Sequence, residues 1–182
     1  MELPGELPSL SLERDPVQAA VDSYRQLSAD AASGVGVVST ILHGRDYAAT
    51  VSAFLSVSYD PPTMMVSLYA ESRIAEAVSE AGVWTLSLLA SRHRGVANWL
   101  ASPGTGLEGL LSPVPYRRGH ATGAAVVDGA LGYFELKTSA IHPAATHLLI
   151  VGDVLAMGTE AVPADAMDPL IHFGSAYHRL KA

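Results

Sequence analysis

Asp60-Pro61-Pro62 divides the most strand-prone stretch of the chain, ATVSAFLSVSYDPPTMMVSLYAESR at 49–73, into two halves of different character. Neither proline can donate a backbone N–H to a ladder, so a strand arriving from the N-terminal side must stop there. Beyond the break, Met64 to Tyr69 is an apolar run of strand length. The near half should pair with it, yet Thr50, Ser52, Ser56 and Ser58 fall within it. So many hydroxyls between core-forming segments point either to a solvated strand face or to a polar ligand.

The rest of the chain reads as one helix followed mostly by strands. Asp15-Pro16 is an N-cap with proline at the first helical position. Val17, Ala20, Val21, Tyr24 and Leu27 then recur at helical spacing, and the helix should end before Gly34. VGVVSTIL (35–42) is β-branched and strand-like, HGRD (43–46) is a turn, and a return strand is expected from Tyr47 to Phe54. Ser72 caps a short helix, RIAEAVSE, that Gly82 ends. VWTLSLLA (83–90) is a strand and HRGVANWLA (93–101) a short helix. Residues 103–123 are loop-rich, and Asp128-Gly129 is a turn signal. Long strands follow at 133–142 and 147–157, then a short one at Leu170–Phe173 leading to Tyr177. Strands joined by short connections and short helices predict a mainly β protein, an antiparallel barrel rather than a βαβ sheet.

The bounds agree with a single domain over 15–182 behind a loose N-terminal arm, residues 1–14. The chain has 182 residues, 49% hydrophobic and 16% charged, enough to bury a core. So low a charge fraction suggests that a partner, a second copy of the chain, covers part of the surface. The formal net charge of −7 argues against nucleic acid, which needs a basic face. Without cysteine there is neither a disulfide frame nor a thiolate site. No apolar run approaches the roughly 20 residues of a membrane span, and MELPGELPSL has no signal-peptide character. A cytoplasmic protein is expected.

Few motifs carry chemistry. GTGLEG (104–109) matches G-x-G-x-x-G, but a dinucleotide fingerprint needs a strand before it and a helix opening on it. Here a helix and Pro103 come first, so a surface loop is expected. The seven histidines form no H-x-H or H-E-x-x-H pattern, so no metal is assigned. The hydroxyl cluster is a better candidate. Small and hydroxylated residues, with Ala48, Ala49 and Ala53 among them, let main-chain groups approach a planar polar ring. Ser72 at a helix N-terminus, followed by Arg73, offers N–H groups, a favourable dipole end and a cation to an anion. Each part also has a plainer role: Ser72 as a cap alone, Thr50 and Ser52 as solvent-facing strand residues.

Several of these segments occur together in a known family. YRQLSADAASGVGVVST, ATVSAFLSVSYDPPTMMVSL, ESRIAEAVSEAGVWTLSLLA, VPYRRGHATGAAVVDGALGYFEL, THLLIVGDVLAM and PLIHFGSAYHRL resemble, in this order, the flavin reductase-like family of FMN-binding split barrels. That family includes the reductase components of two-component flavin monooxygenases. The resemblance implies an antiparallel split β-barrel and an NAD(P)H:flavin oxidoreductase. It would use FMN or FAD with NADH or NADPH, act as a homodimer and supply reduced flavin to a monooxygenase. A non-catalytic flavin-binding or electron-transfer protein of the same shape is the alternative. By the same resemblance, Thr50, Val51, Ser52 and Ala53 would form the flavin wall. Ser72, Arg73 and Ile74 would take the phosphate, Ser87 would contact the ring, and His147 would contact nicotinamide or lie at the dimer seam. The chain departs from the family pattern at Ser87 (commonly Asn), Ala53 (Ser), Ile74 (Thr), Thr146 (Asp) and Ala48 (Gly). These changes fit a flavin held as an exchangeable substrate.

Overall fold

The computed structural model describes residues 15–102, 106, 108–159 and 167–180. The N-terminal arm and half of GTGLEG lie outside them. Helix α1 (Pro16–Ala29) starts as expected, with the Asp15 carboxylate accepting the Val17 N–H at 3.0 Å. None of its residues is buried. Val17, Tyr24 and Leu27 are among the most exposed large apolar side chains described.

Strands β1 (Ser33–Gly34), β2 (Gly36–Leu42), β3 (Arg45–Val51), β4 (Phe54–Tyr59) and β5 (Pro62–Tyr69) follow. Then come α2 (Arg73–Ala81), β6 (Val83–Leu88), a 3-10 turn at Ser91–His93, and α3 (Arg94–Ala101). The chain continues with β7 (Tyr116–Arg118), β8 (Ala125–Val127), β9 (Gly132–Ala144), β10 (His147–Gly158), β11 (Leu170–Phe173) and β12 (Ala176–Arg179). The main sheet runs β3-β2-β6-β9-β10-β5-β4, with every neighbour antiparallel. β1, β11 and β12 form a small second sheet, and β7 and β8 form a ribbon.

The expected strand from Tyr47 to Phe54 is instead two strands. β3 ends at Val51, opposite Gly36, and β4 begins at Phe54. The reason is topological. β3 and β4 are the two opposite edges of the seven-stranded sheet, yet only Ser52 and Ala53 separate them. Three Cα steps span at most about 11 Å. The sheet must therefore curl until its edges meet, which is the shape of a split barrel. Ala53 O accepts the Ser67 N–H at 2.8 Å, carrying the chain across to β5. One apolar cluster accordingly joins Val51 of β3 to Met64, Val66 and Leu68 of β5.

That cluster fills one face of the sheet and is completed by α2, whose Ile74, Ala75 and Val78 are buried in it. The helix is closed by the expected caps: Ser72 Oγ accepts the Ala75 N–H, and Gly82 takes a left-handed conformation at φ 68°. A second cluster covers the other face. There Val35, Val37 and Leu89 pack against Ala97 and Leu100 of α3 and against Ala125 and Val127 of β8. Strand alternation sends neighbouring residues to these two different layers. Asp60-Pro61 forms the β4–β5 turn, with Tyr59 opposite Pro62, so proline sits at the first position of a strand, where its missing donor does least harm.

Candidate functional site

The corner at Ser52-Ala53 is where the sheet changes edge. Ser52 is half-buried and Ala53 exposed, while Val51 before them points into the core. The corner's own side chains are no larger than a hydroxymethyl, which lets a flat ring come close to this backbone.

Helix α2, which Ser72 caps and which opens with Arg73 and Ile74, packs against β3, and Val51 and Ile74 belong to one apolar cluster. Ser72 Oγ also donates to Tyr69 O at 2.6 Å, which fixes the turn into α2. The cap takes the Ala75 N–H, and the helical ladder begins with Glu76 N donating to Ser72 O. The Ile74 N–H therefore points from the first turn with no acceptor inside the helix. Ile74 itself is buried, so only its backbone faces a ligand. The arrangement suits an anion: first-turn N–H groups, the positive end of the helix dipole and the neighbouring Arg73 guanidinium.

The structure brings His147 to the same end. It lies opposite Tyr69 in the β10–β5 ladder, and Ala70 N donates to Thr146 O at 3.0 Å. The imidazole is exposed, meets the Tyr69 ring edge-on at 5.8 Å and contacts Thr146 Oγ1 through Nδ1 at 3.0 Å. The Glu71 carboxylate, accepting from the Tyr69 hydroxyl at 2.9 Å, raises the Tyr69 pKa above its ordinary value. His147 thus sits against the segment that leads into α2.

Thr50 and Ser87 go elsewhere. Thr50 faces the α3 layer and donates its hydroxyl to Ala97 O at 2.8 Å. Ser87 is fully buried, and its Oγ accepts the Val127 N–H at 3.1 Å. Both lie opposite Val37, in one row across β3, β2 and β6. Their hydroxyls bind the covering layer to the sheet, which leaves the Thr50 side chain to shape the wall from behind through α3. Ser87, enclosed between sheet and β8, has no exposed atom to offer a ring.

Sequence reasoning missed Glu135, which is almost wholly buried on β9. Its carboxylate accepts from the N–H groups of His120, Ala121 and Thr122 and from the Thr122 hydroxyl, at 2.8–3.1 Å. Four donors replace the lost hydration of a buried charge. They order the loop at Gly119–Thr122. No local pattern marks this glutamate, because its partners lie 13 to 15 residues away.

A curled antiparallel sheet whose edge strands meet at a two-residue corner defines a split barrel. The chain belongs to the flavin reductase like domain family, which it matches over residues 28–181. It is 28% identical to the reductase component of a 4-hydroxyphenylacetate 3-monooxygenase from Thermus thermophilus, over 87% of this chain and 96% of that protein. It is 30% identical to an NADH-dependent flavin reductase, StyB, from Pseudomonas fluorescens, over 93% of this chain and 96% of that one. Among solved structures it resembles BorF, the flavin reductase component of a bacterial two-component tryptophan halogenase. That likeness has a TM-score of 0.81 at 27% identity and covers 89% of this chain and 99% of the other.

Proposed function

We propose that this protein is an NADH-dependent flavin reductase that supplies reduced flavin to a partner monooxygenase. The observation that carries the reading is the junction of the bare Ser52-Ala53 corner with the N-terminus of α2. It sets a corner of small residues, suited to a flat ring, near an anion station for a phosphate. Family membership and relatives named as flavin reductases support the same conclusion.

Bound there, flavin supplies a two-electron acceptor for hydride from the reduced nicotinamide. The chain's own part is to hold, orient and shield. Ser52 and Ala53 present main-chain groups to the ring edge. The first-turn N–H groups of α2, with Arg73, take the phosphate, and Ser72, whose N–H and hydroxyl both donate to Tyr69 O, holds the turn that presents them. His147 contacts the nicotinamide nucleotide from the β10 side. The barrel core beneath Val51 keeps water from the buried side of the ring, which favours transfer between closely held partners. No side-chain acid or base is required for the transfer itself, since the cofactors carry the chemistry.

The protein acts as a homodimer in this reading. An apolar groove of about 420 Å³ adjoins the corner, lined by Phe54, Leu55, Tyr59, Met64, Phe134 and Met157. Leu55, Tyr59 and Met157 are 47%, 91% and 61% exposed, an unfavourable surface for a lone chain. A second copy would cover it and wall the site from outside. Light scattering should give about twice the 19.0 kDa chain mass.

The decisive experiment follows NADH and NADPH oxidation with FMN, FAD and riboflavin added in turn. Turnover with free flavin and preference for NADH are expected. Tight flavin binding with no nicotinamide oxidation would replace the reductase with a non-catalytic flavin carrier.

A further inference from the structure

Two clefts adjoin on the side of the molecule formed by α3 and the β11–β12 hairpin, sharing Arg94 and Tyr177. Their volumes are about 290 and 420 Å³. Besides Ser91, Ser175 and Tyr177, the polar residues around them are Arg94, Asn98, His172, His178 and Arg179. Among the described residues no carboxylate lines either cleft, in a chain with 18 acidic residues against 11 lysines and arginines.

The geometry is built rather than incidental. Arg94 opens α3 and donates from Nη2 to Tyr177 O at 3.0 Å, which ties helix to hairpin and places its guanidinium where the clefts meet. Arg94 and Asn98 are one helical turn apart on one face of α3. On the hairpin, His178 Nε2 contacts Phe173 O at 3.1 Å, and the His172 ring meets Tyr177 edge-on at 6.0 Å. Among the described residues, neither Arg94 nor Arg179 has an ion pair with an acidic side chain. Two guanidinium groups, flanked by two imidazoles and an amide, make an anion-binding surface with forked donors suited to phosphate.

Its position links it to the flavin wall. The Thr50 hydroxyl is bonded to Ala97 O, one turn along α3 from Arg94. The wall is therefore flanked on both faces of the sheet: by Ser72 and Arg73 of α2 on one, and by α3 with this cleft on the other. A mononucleotide needs only the first station. A dinucleotide has a second, more distant pair of phosphates.

We propose that the cleft between α3 and the C-terminal hairpin takes the diphosphate of a dinucleotide bound at the wall. The proposal rests on the wall being the flavin site. The same chemistry is offered by the diphosphate of a reduced nicotinamide dinucleotide and by that of FAD.

The test uses the full chain and begins with binding. Wild-type protein titrated with ADP in a calorimeter should bind it. Arg94→Gln/Arg179→Gln should weaken that binding by at least about tenfold, the cost of losing a charge-assisted contact. Arg179→Gln alone leaves the bond from Arg94 to the hairpin intact. It should still weaken ADP several-fold with an unchanged melting temperature, so a misfolded double variant does not decide the matter. FMN affinity should stay at the wild-type value in both.

Two further arms separate the sources. A fall in FAD affinity relative to FMN assigns the cleft to FAD. A rise in the KM for NADH with FMN as acceptor, and no change with reduced nicotinamide mononucleotide, assigns it to the nicotinamide dinucleotide. If ADP does not bind, or binds the variants as tightly as the wild type, the proposal is overturned even where flavin reduction is normal. If ADP binding depends on both arginines but the protein reduces no flavin, the cleft stands and the reductase reading falls.

Discussion

Replacing Thr50 by valine tests whether the flavin wall is held from behind. Valine keeps the β-branched shape and removes only the hydroxyl, which donates to Ala97 O at 2.8 Å in a partly buried setting. A net hydrogen bond contributes about 0.5–1.5 kcal/mol, and the Ala97 carbonyl, inside α3, keeps its place in the helical ladder. For a chain of this size each kcal/mol moves the melting midpoint by about 2–4 °C. Thr50→Val should therefore melt about 1–6 °C early by calorimetry. Because the lost bond lets α3 shift against β3, FMN affinity by fluorescence titration should also fall, by about three- to tenfold. Thr50→Ser keeps the hydroxyl and should recover most of the affinity. Equal losses in the serine and valine variants would refute the reasoning. The methyl group and β-branch, not the bond to Ala97, would then be what the site needs.

Arg73→Ala should weaken FMN by about ten- to a hundredfold, the cost of a charge-assisted contact, and leave riboflavin nearly unchanged because it lacks the phosphate. Equal losses for both ligands would make Arg73 a structural residue. His93 should make the fold acid-sensitive. Its Nδ1 accepts the Ala90 N–H and its Nε2 contacts Asp128 O, both at 3.1 Å, which suits the neutral ring. Burial, then the nearby Arg92 charge, lower its pKa below the ordinary 6.5, against the opposing pull of its two backbone contacts. A lowered folded pKa means that the unfolded chain binds the proton more readily. The stabilisation is full above pH 6.5 and is lost as pH falls through the folded value. Melting temperature against pH should drop over that window in the wild type and flatten in His93→Gln. In Gly119→Ala the new methyl would collide with the Glu135 carboxylate, so a loss of about 1–3 kcal/mol is expected in urea unfolding. An unchanged midpoint would show that the 119–122 loop moves aside at no cost.

What the sequence by itself determined is mostly local. Asp15-Pro16 and the Ser72 and Gly82 caps bound their helices because capping is settled within a turn of chain. The Asp-Pro-Pro break ended β4 because a missing donor acts at its own position. Alternation along β3 and β6 also separates Thr50 and Ser87 from Val51 and Leu86, since side chains on a strand face opposite ways whatever surrounds them. Only the tertiary structure decided what stands on each face. α3 and β8 take the hydroxyls of Thr50 and Ser87, residues 40 and more positions away. The carboxylate of Glu135 finds a loop rather than water. The corner at Ser52-Ala53 exists because the first and last strands of one sheet are neighbours in the chain. That is a condition on the closure of the whole sheet, met by pairing across β2, β6, β9, β10 and β5. No pattern within residues 49–59 contains it.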